Sequence, residues 1–571
     1  MLEKYINAAA KRVKADIVLK NATFVNTLTG KIEEGDIAIT ADRIVGIGNY
    51  EGAKEYDVKG LYVLPGYIDS HVHIESSMLS PEEFASLVVP RGTTAIIADP
   101  HEITNVCGMA GVEYIYKASQ SVPLDVHIQL PSCVPATPFE HSGAILSGKD
   151  IEANICRNEV FGLGEFMNFP GVIGADGDVV RKLEAAHNAG KIIDGHAPCV
   201  LGDSLNAYLC GGIVTDHECD SPEEMAQKAD RGVYVQLRHS SSIHDIAKNC
   251  AAVNAGNMSR FIMCTDDRHA ADLKNKGHID DALRTVVEAG LNPVWAVTIA
   301  TRNAAQCYNL KWRGAIAPFY FADLVVVDNL KDFNARYVFK DGVLVAEGGK
   351  PLFDTSKRYL PAAVLNTVHV NPLKPEDFVL KLKGDKARVM TLNYGTILTG
   401  CEVLPVRSKN GDVVCENDIL KLAVVERHNY TGNIGKGLLK GYGFRGGALG
   451  ITIAHDSHNI ILLGDDNASM AAAANKLKEI GGGMVIAESA TGKVYSLSLD
   501  IGGLMSSRSA DELIAESSAL YERAYSMGVN KKLAAFMTLA FLSLAVIPHV
   551  KLLDTGLFDV DKFTFTDIDA D

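Results

Sequence analysis

The sequence lacks several features, and each absence removes a class of function. No stretch reaches the roughly 20 consecutive apolar residues that a bilayer span needs. The longest such run, Leu533 to Ile547 in "LAAFMTLAFLSLAVIP", stops at Pro548 and reads as a buried helix. The opening "MLEKYINAAAKRVKADIVLK" mixes Lys, Glu and Arg without an apolar centre, which speaks against a signal peptide or a membrane anchor. Positive charge is in deficit: 55 Lys and Arg stand against 70 Asp and Glu, for a formal net charge of −15. Nucleic-acid affinity rests on clustered Lys and Arg, so a nucleic-acid partner is not expected. The 11 cysteines are odd in number and form no C-x-x-C pair. They read as reduced thiols of a cytoplasmic protein, most of them small core residues.

What is present is a globular composition, with 47% hydrophobic residues, 22% charged residues and 51 glycines in 571 positions. That length exceeds the roughly 250–300 residues at which single cores stop growing, so two or three domains are expected. A small neutral or cationic substrate suits the acidic balance.

The segment "PGYIDSHVHIESS", Pro65 to Ser77, places two histidines one residue apart after an apolar approach. On a strand, alternation sends His71 and His73 to one face, which is half of a metal site. A bare H-x-H fits equally well with one histidine capping the strand and the other exposed, so more ligands are required.

The chain order supplies them. From Ala15 to Leu64, short β-rich runs separated by Gly, Asn and Asp read as hairpins, and similar runs return from Ala322 to Gly348. Residues 1–66 and 311–349 are therefore expected to build one β-sandwich. Between them, the H-x-H segment and the runs "TTAIIADP", "LDVHIQLP", "VFGLGEF", "KIIDGHAP", "GGIVTDHE", "VYVQLRHSS" and "RFIMCTDD" alternate with helical stretches. Eight runs over residues 67–310 match a (β/α)8 barrel of the TIM type, within an α/β fold class. Residues 350–571 read as a further α/β domain. Its glycine clusters, Gly446–Gly447 and Gly481–Gly483, lack the phosphate-loop form and are expected to make tight turns.

In such barrels the carboxyl ends of the strands carry the chemistry. Those ends hold His71, His73, Glu165, His196, His217 and Asp266. Four imidazoles and two carboxylates suit two divalent cations, with Zn, Mn and Fe all compatible. Any one of these residues alone more often serves a loop hydrogen bond; their ordered recurrence carries the reading. His101 and Glu102 end the second strand, and Arg238 and His239 end the seventh, so each is a candidate for substrate contact. Glu218 and Asp267 neighbour ligands on their strands and should point away. In "AHDSHN", His455, Asp456 and His458 crowd behind an apolar strand, where they would cover the barrel mouth or touch substrate.

On "GYIDSHVHIESS", "ADPHEITNVCG", "CTDDRH", "GGALGITIAHDSHNI" and "GGGMVI", the chain resembles the amidohydrolase superfamily, and within it the prokaryotic adenine deaminases, over its whole length. The resemblance implies that His71, His73, Glu165, His196, His217 and Asp266 bind the metals. Dihydroorotase, hydantoinase and urease-like relatives present a carboxylated lysine where this chain has Glu165. The nearest lysines, Lys149 and Lys182, lie off that strand, which disfavours a cyclic amidase. Adenosine deaminases have one metal and lack the flanking β segments. The implied reaction is hydrolytic deamination of adenine to hypoxanthine and ammonia by a metal-activated hydroxide, a step of purine salvage. Asp266 would carry the proton, and Glu165 would bridge the metals with a share in proton transfer. Mn or Fe is expected ahead of Zn, in a cytoplasmic homo-oligomer, dimer or larger, with no membrane partner. The alternatives are a metal-dependent amidohydrolase acting on another small N-heterocycle and a non-catalytic barrel scaffold.

Overall fold

Each of the eight runs between Tyr67 and Cys264 holds a parallel strand in the computed structural model, which describes residues 1–241, 245–396 and 398–570. They are β1 (Tyr67–Val72), β2 (Thr93–Ala98), β3 (Asp125–Leu130), β4 (Val160–Phe166), β5 (Ile192–Gly195), β6 (Thr215–Asp216), β7 (Tyr234–Arg238) and β8 (Phe261–Cys264). Strands β1 to β5 form one sheet in chain order, and β6 to β8 form a second. A parallel bridge between Val72 and Asp266 joins β1 to the end of β8, and Val214 N–H donates to Ile193 O at 3.0 Å between β5 and β6. Helices such as Met109–Ser119, Gly177–Asn188 and Ile279–Glu288 connect the strands. This is a TIM-barrel-like α/β arrangement of parallel strands and connecting helices.

The flanking segments meet in paired strands. A four-stranded sheet from residues 15–57 faces a seven-stranded sheet in which Tyr62–Pro65 pairs antiparallel with Leu324–Val327. Leu19, Phe24, Ile37, Val63, Leu324 and Phe339 fill the space between the two sheets.

Beyond residue 380 an eight-stranded sheet forms, antiparallel except where Lys386–Leu392 pairs with Ile434–Lys440. Alternation divides its faces. Ala448, Leu462 and Val485 pack under the helix Asn467–Glu479, whose amino end is capped by Asp466 accepting from Ser469 N at 2.7 Å. Leu449, Ile451, Ile461 and Met484 join the same core as Leu79 and Ile103 of the barrel region. Ser506 N donates to Met78 O at 2.8 Å, and Ala510 N to Glu83 Oε2 at 2.7 Å. The carboxyl-terminal segment is thus built onto the barrel region through shared core and backbone pairing.

Two expectations need correcting. The apolar run at 533–547 is an α-helix only over Ala535–Ala540, followed by a 3-10 turn at Phe541–Ser543. The Phe541 carbonyl accepts from Lys551 Nζ at 3.1 Å, and the Phe541 ring stacks on His455 at 4.6 Å, so the chain leaves the helix there. Among the described cysteines, all free, five are buried and four exposed, so the thiols are not mainly core. Of the glycine clusters, Gly481 sits in a turn and Gly446 and Gly482 in bends, while Gly447 and Gly483 open strands, all five at positive φ. Among the described residues no helix is long and apolar enough to cross a membrane.

Candidate active site

All six residues expected as metal ligands converge at the barrel mouth. His71 and His73 leave the end of β1 with their Nε2 atoms 3.1 Å apart. Glu165, near the end of β4, reaches both halves of the cluster. Its Oε1 lies 3.3 Å from His73 Nε2 and 3.7 Å from His71 Nε2. Its Oε2 lies 2.8 Å from His196 Nδ1 and 3.3 Å from His217 Nε2. Asp266 Oδ1 stands 3.3 Å from His73 Nε2 and 3.8 Å from His71 Nε2. All are buried except His196, which sits at the rim.

Local structure fixes these positions. His73 Nδ1 meets the Asp99 carbonyl at 2.8 Å, and a carbonyl only accepts, so Nδ1 carries a hydrogen and, in the neutral ring, the Nε2 lone pair faces the cluster. Asp99 Oδ2 accepts from Glu165 N at 2.8 Å. A Cβ on Gly164 would lie 2.3 Å from that oxygen, which explains the glycine before the glutamate in "GLGEF". Asp266 has φ of 58°, an uncommon conformation for this residue type. It is held by Asp266 N donating to His71 O at 2.9 Å and His73 N donating to Asp266 O at 3.4 Å. The His196 amide donates to Tyr208 Oη at 2.9 Å, and that hydroxyl donates to Phe166 O at 2.9 Å.

Charge supports the same reading. Burial raises the pKa of Glu165, yet hydrogen bonds from His101, His196, His217 and His73 outweigh it and hold the carboxyl well below the usual range. Burial also opposes ionisation of Asp266, and His73 and the Arg238 guanidinium overcome it. For His217, burial disfavours the charged ring, but Glu165 pushes its pKa up to about 9. The negative field that draws a proton onto His217 also draws divalent cations. Ligand atoms of His71, His73 and Asp266, and those of His71, Glu165 and His217, lie within 4.8 Å of one another. This donor set of nitrogen and carboxylate oxygen fits metals of the Zn, Mn or Fe kind.

Residues 62–345 match the amidohydrolase family, and residues 396–564 match the adenine deaminase C-terminal domain. The chain is 44% identical over 568 residues to the adenine deaminase of Clostridium acetobutylicum, covering 99% of each. It is 45% identical over 571 residues to that of Nitratidesulfovibrio vulgaris, covering 100% of this chain and 99% of the relative. It is 41% identical over 575 residues to that of Geobacillus kaustophilus, covering 100% of this chain and 99% of the relative. This chain belongs to the adenine deaminase family.

In this family member the structure sorts the remaining expected residues. His101 Nδ1 lies 3.3 Å from Glu165 Oε1, and its ring meets His73 edge-on at 4.5 Å, so it borders the cluster. Arg238 donates to Asp266 Oδ2 at 3.0 Å. Glu102 meets His455 Nδ1 at 2.8 Å and also bonds His458 Nε2. Both of those histidines lie within the span that matches the deaminase C-terminal domain.

His239 departs from expectation. β7 ends at Arg238, so His239 already lies in the loop, where its Nε2 pairs with Asp281 Oδ2 at 2.9 Å in a separate polar cavity beside Arg268 and Lys276. Glu218 and Asp267, expected to point away, belong to the mouth. Glu218 pairs with Arg238 and comes within 3.7 Å of His217 Nε2, and Asp267 accepts from Ser76 Oγ. Strands β6 and β8 end at Asp216 and Cys264, so alternation no longer governs the residues that follow. Glu75 was missed. It is buried beside Glu102, accepts from Ile103 N at 3.2 Å, and burial pushes its carboxyl up to about 7. The signal was its place two residues beyond His73 in the H-x-H motif.

Proposed function

We propose that this chain hydrolyses adenine to hypoxanthine and ammonia. The observation that carries the reading is the cluster centred on Glu165, a carboxylate rather than a lysine, in a chain that is similar over its full length to adenine deaminases. Two divalent cations, Mn or Fe ahead of Zn, held by His71, His73, Glu165, His196, His217 and Asp266, would supply an activated water and a Lewis acid. The chain's own residues do the rest. Glu165 spans the two halves of the ligand set. Arg238, anchored by Glu218, holds Asp266 Oδ2 and leaves Oδ1 facing the cluster. The ionised Asp266 takes a proton from the attacking water and returns it to the exocyclic nitrogen, which then leaves as ammonia. Burial of the cluster excludes bulk water from the reacting centre.

The same reading has the eight strands closing into a (β/α)8 barrel, supported by the Val72–Asp266 bridge and the Ile193–Val214 hydrogen bond. It takes residues 67–310 as the barrel, 1–66 with 311–349 as the sandwich, and 350–571 as the carboxyl-terminal domain. Cytoplasmic purine salvage and a homo-oligomer accompany it and rest on the family resemblance. Incubation with adenine should shift the ultraviolet spectrum to that of hypoxanthine with release of ammonia. Activity confined to hydantoins or dihydropyrimidines would overturn the assignment.

A further inference from the structure

Glu102 is gripped from the carboxyl-terminal segment. His455 Nδ1 lies 2.8 Å from Glu102 Oε1, and His458 Nε2 bonds Oε2. Three ligand-type atoms this close resemble another cation site. The hydrogen bonding of His458 argues against that. Ala454 N–H donates to His458 Nδ1 at 3.2 Å, so Nδ1 offers its lone pair and Nε2 carries the hydrogen that points to Glu102. A neutral imidazole used in this way has no lone pair left for a cation.

The loop carrying both histidines is braced from beneath. The buried Arg427 guanidinium donates to His458 O, to Gly502 O at 3.0 Å and to Thr367 Oγ1 at 3.0 Å. Asn459 accepts from Arg427 N at 3.2 Å and donates to His141 O at 2.8 Å. These bonds hold His458 at φ of 55°, and the Phe541 ring stacks on His455 with 14° between the planes. Such support fixes a side chain where a loop alone would not.

What is fixed is the orientation of Glu102. A carboxylate offers about four acceptor positions; His455 occupies one on Oε1 and His458 one on Oε2, with His101 Nε2 a further 3.5 Å from Oε1. Glu102 borders a cavity that it shares with Ile453, Leu504 and Met537, three apolar side chains of the carboxyl-terminal segment. We propose that His455 and His458 are positioning residues. They aim the acceptor capacity that Glu102 has left at an N–H group of a flat amino-heterocycle. The proposal rests on the deaminase reading and makes the carboxyl-terminal segment part of substrate recognition.

The test uses the full-length, metal-loaded enzyme with His458→Ala, His458→Gln, His455→Ala and His455→Asn. Glutamine places an amide N–H near the Nε2 position of histidine, and asparagine places one near Nδ1. Each alanine variant should raise KM for adenine by about tenfold or more, the scale of a lost hydrogen bond to a charged group. Metal content should stay at the wild-type level and kcat should change much less than KM. His458→Gln and His455→Asn should recover most of the loss. The proposal is overturned if the alanine variants leave KM unchanged, if the amide variants are no better than alanine, or if metal content falls in step with activity. Should His458→Ala fail to fold, Glu102→Gln carries the same test, and an unchanged KM there also overturns it. A wild-type enzyme that neither binds nor converts adenine removes the deaminase reading and this inference together. Normal wild-type turnover with unaffected variants removes the inference alone.

Discussion

Two histidine–carboxylate clusters stand next to each other, on either side of His101, and use the same residue types in opposite ways. Around Glu165, His73 gives its Nδ1 hydrogen to the Asp99 carbonyl and turns a lone pair inward. Around Glu102, His458 receives the Ala454 N–H at Nδ1 and turns a hydrogen inward. The backbone partner, carbonyl in one case and amide in the other, decides whether an imidazole is a ligand or a donor. Residue identity alone does not separate the two.

The comparison breaks most visibly at its centre. Glu165→Gln removes the charge that links both halves of the ligand set, so metal analysis should show one of the two sites emptied and turnover reduced to background. Asp266→Asn should lower kcat by about 10²–10⁴, the range of general acid–base groups, with a smaller loss of metal. Near-normal turnover with full metal content would move the proton transfer to Glu165 or Asp267. Gly164→Ala drives a methyl group into the Asp99 carboxylate that holds the Glu165 backbone. Loss of that support should weaken metal affinity by about 10–100-fold, read by competition with a chelator. His239→Ala should have the least effect, leaving kcat/KM and metal content near wild type, because its ring faces Asp281. A large loss there would place the separate polar cavity in the reaction.

Much of this was legible where a regular period applied. Eight apolar runs became eight strands, and the six residues expected as ligands lie in those strands or within two residues of their ends: His71 and Glu165 inside, His73, His196, His217 and Asp266 just beyond. Alternation could not sort the residues that follow a strand end. Glu218 and Asp267 follow strand ends, and their placement came from loop geometry. His239 likewise follows the end of β7 at Arg238, and loop geometry turns it to Asp281. Contacts between distant segments were the least accessible: Glu102 and His458 lie 356 positions apart, and no local pattern joins them. The motif "AHDSHN" marked the region as polar and crowded, but only the tautomer set by Ala454 shows what His458 does.

The central claim is that the Glu165 cluster holds the metals on which adenine deamination depends. Its most direct test is to titrate metal-free enzyme with manganese while following the conversion of adenine to hypoxanthine in the ultraviolet. No turnover is expected without metal, followed by a rise that levels off at about two equivalents per chain, as a paired-metal site requires. Turnover by the metal-free enzyme, or none after both equivalents are bound, would contradict it.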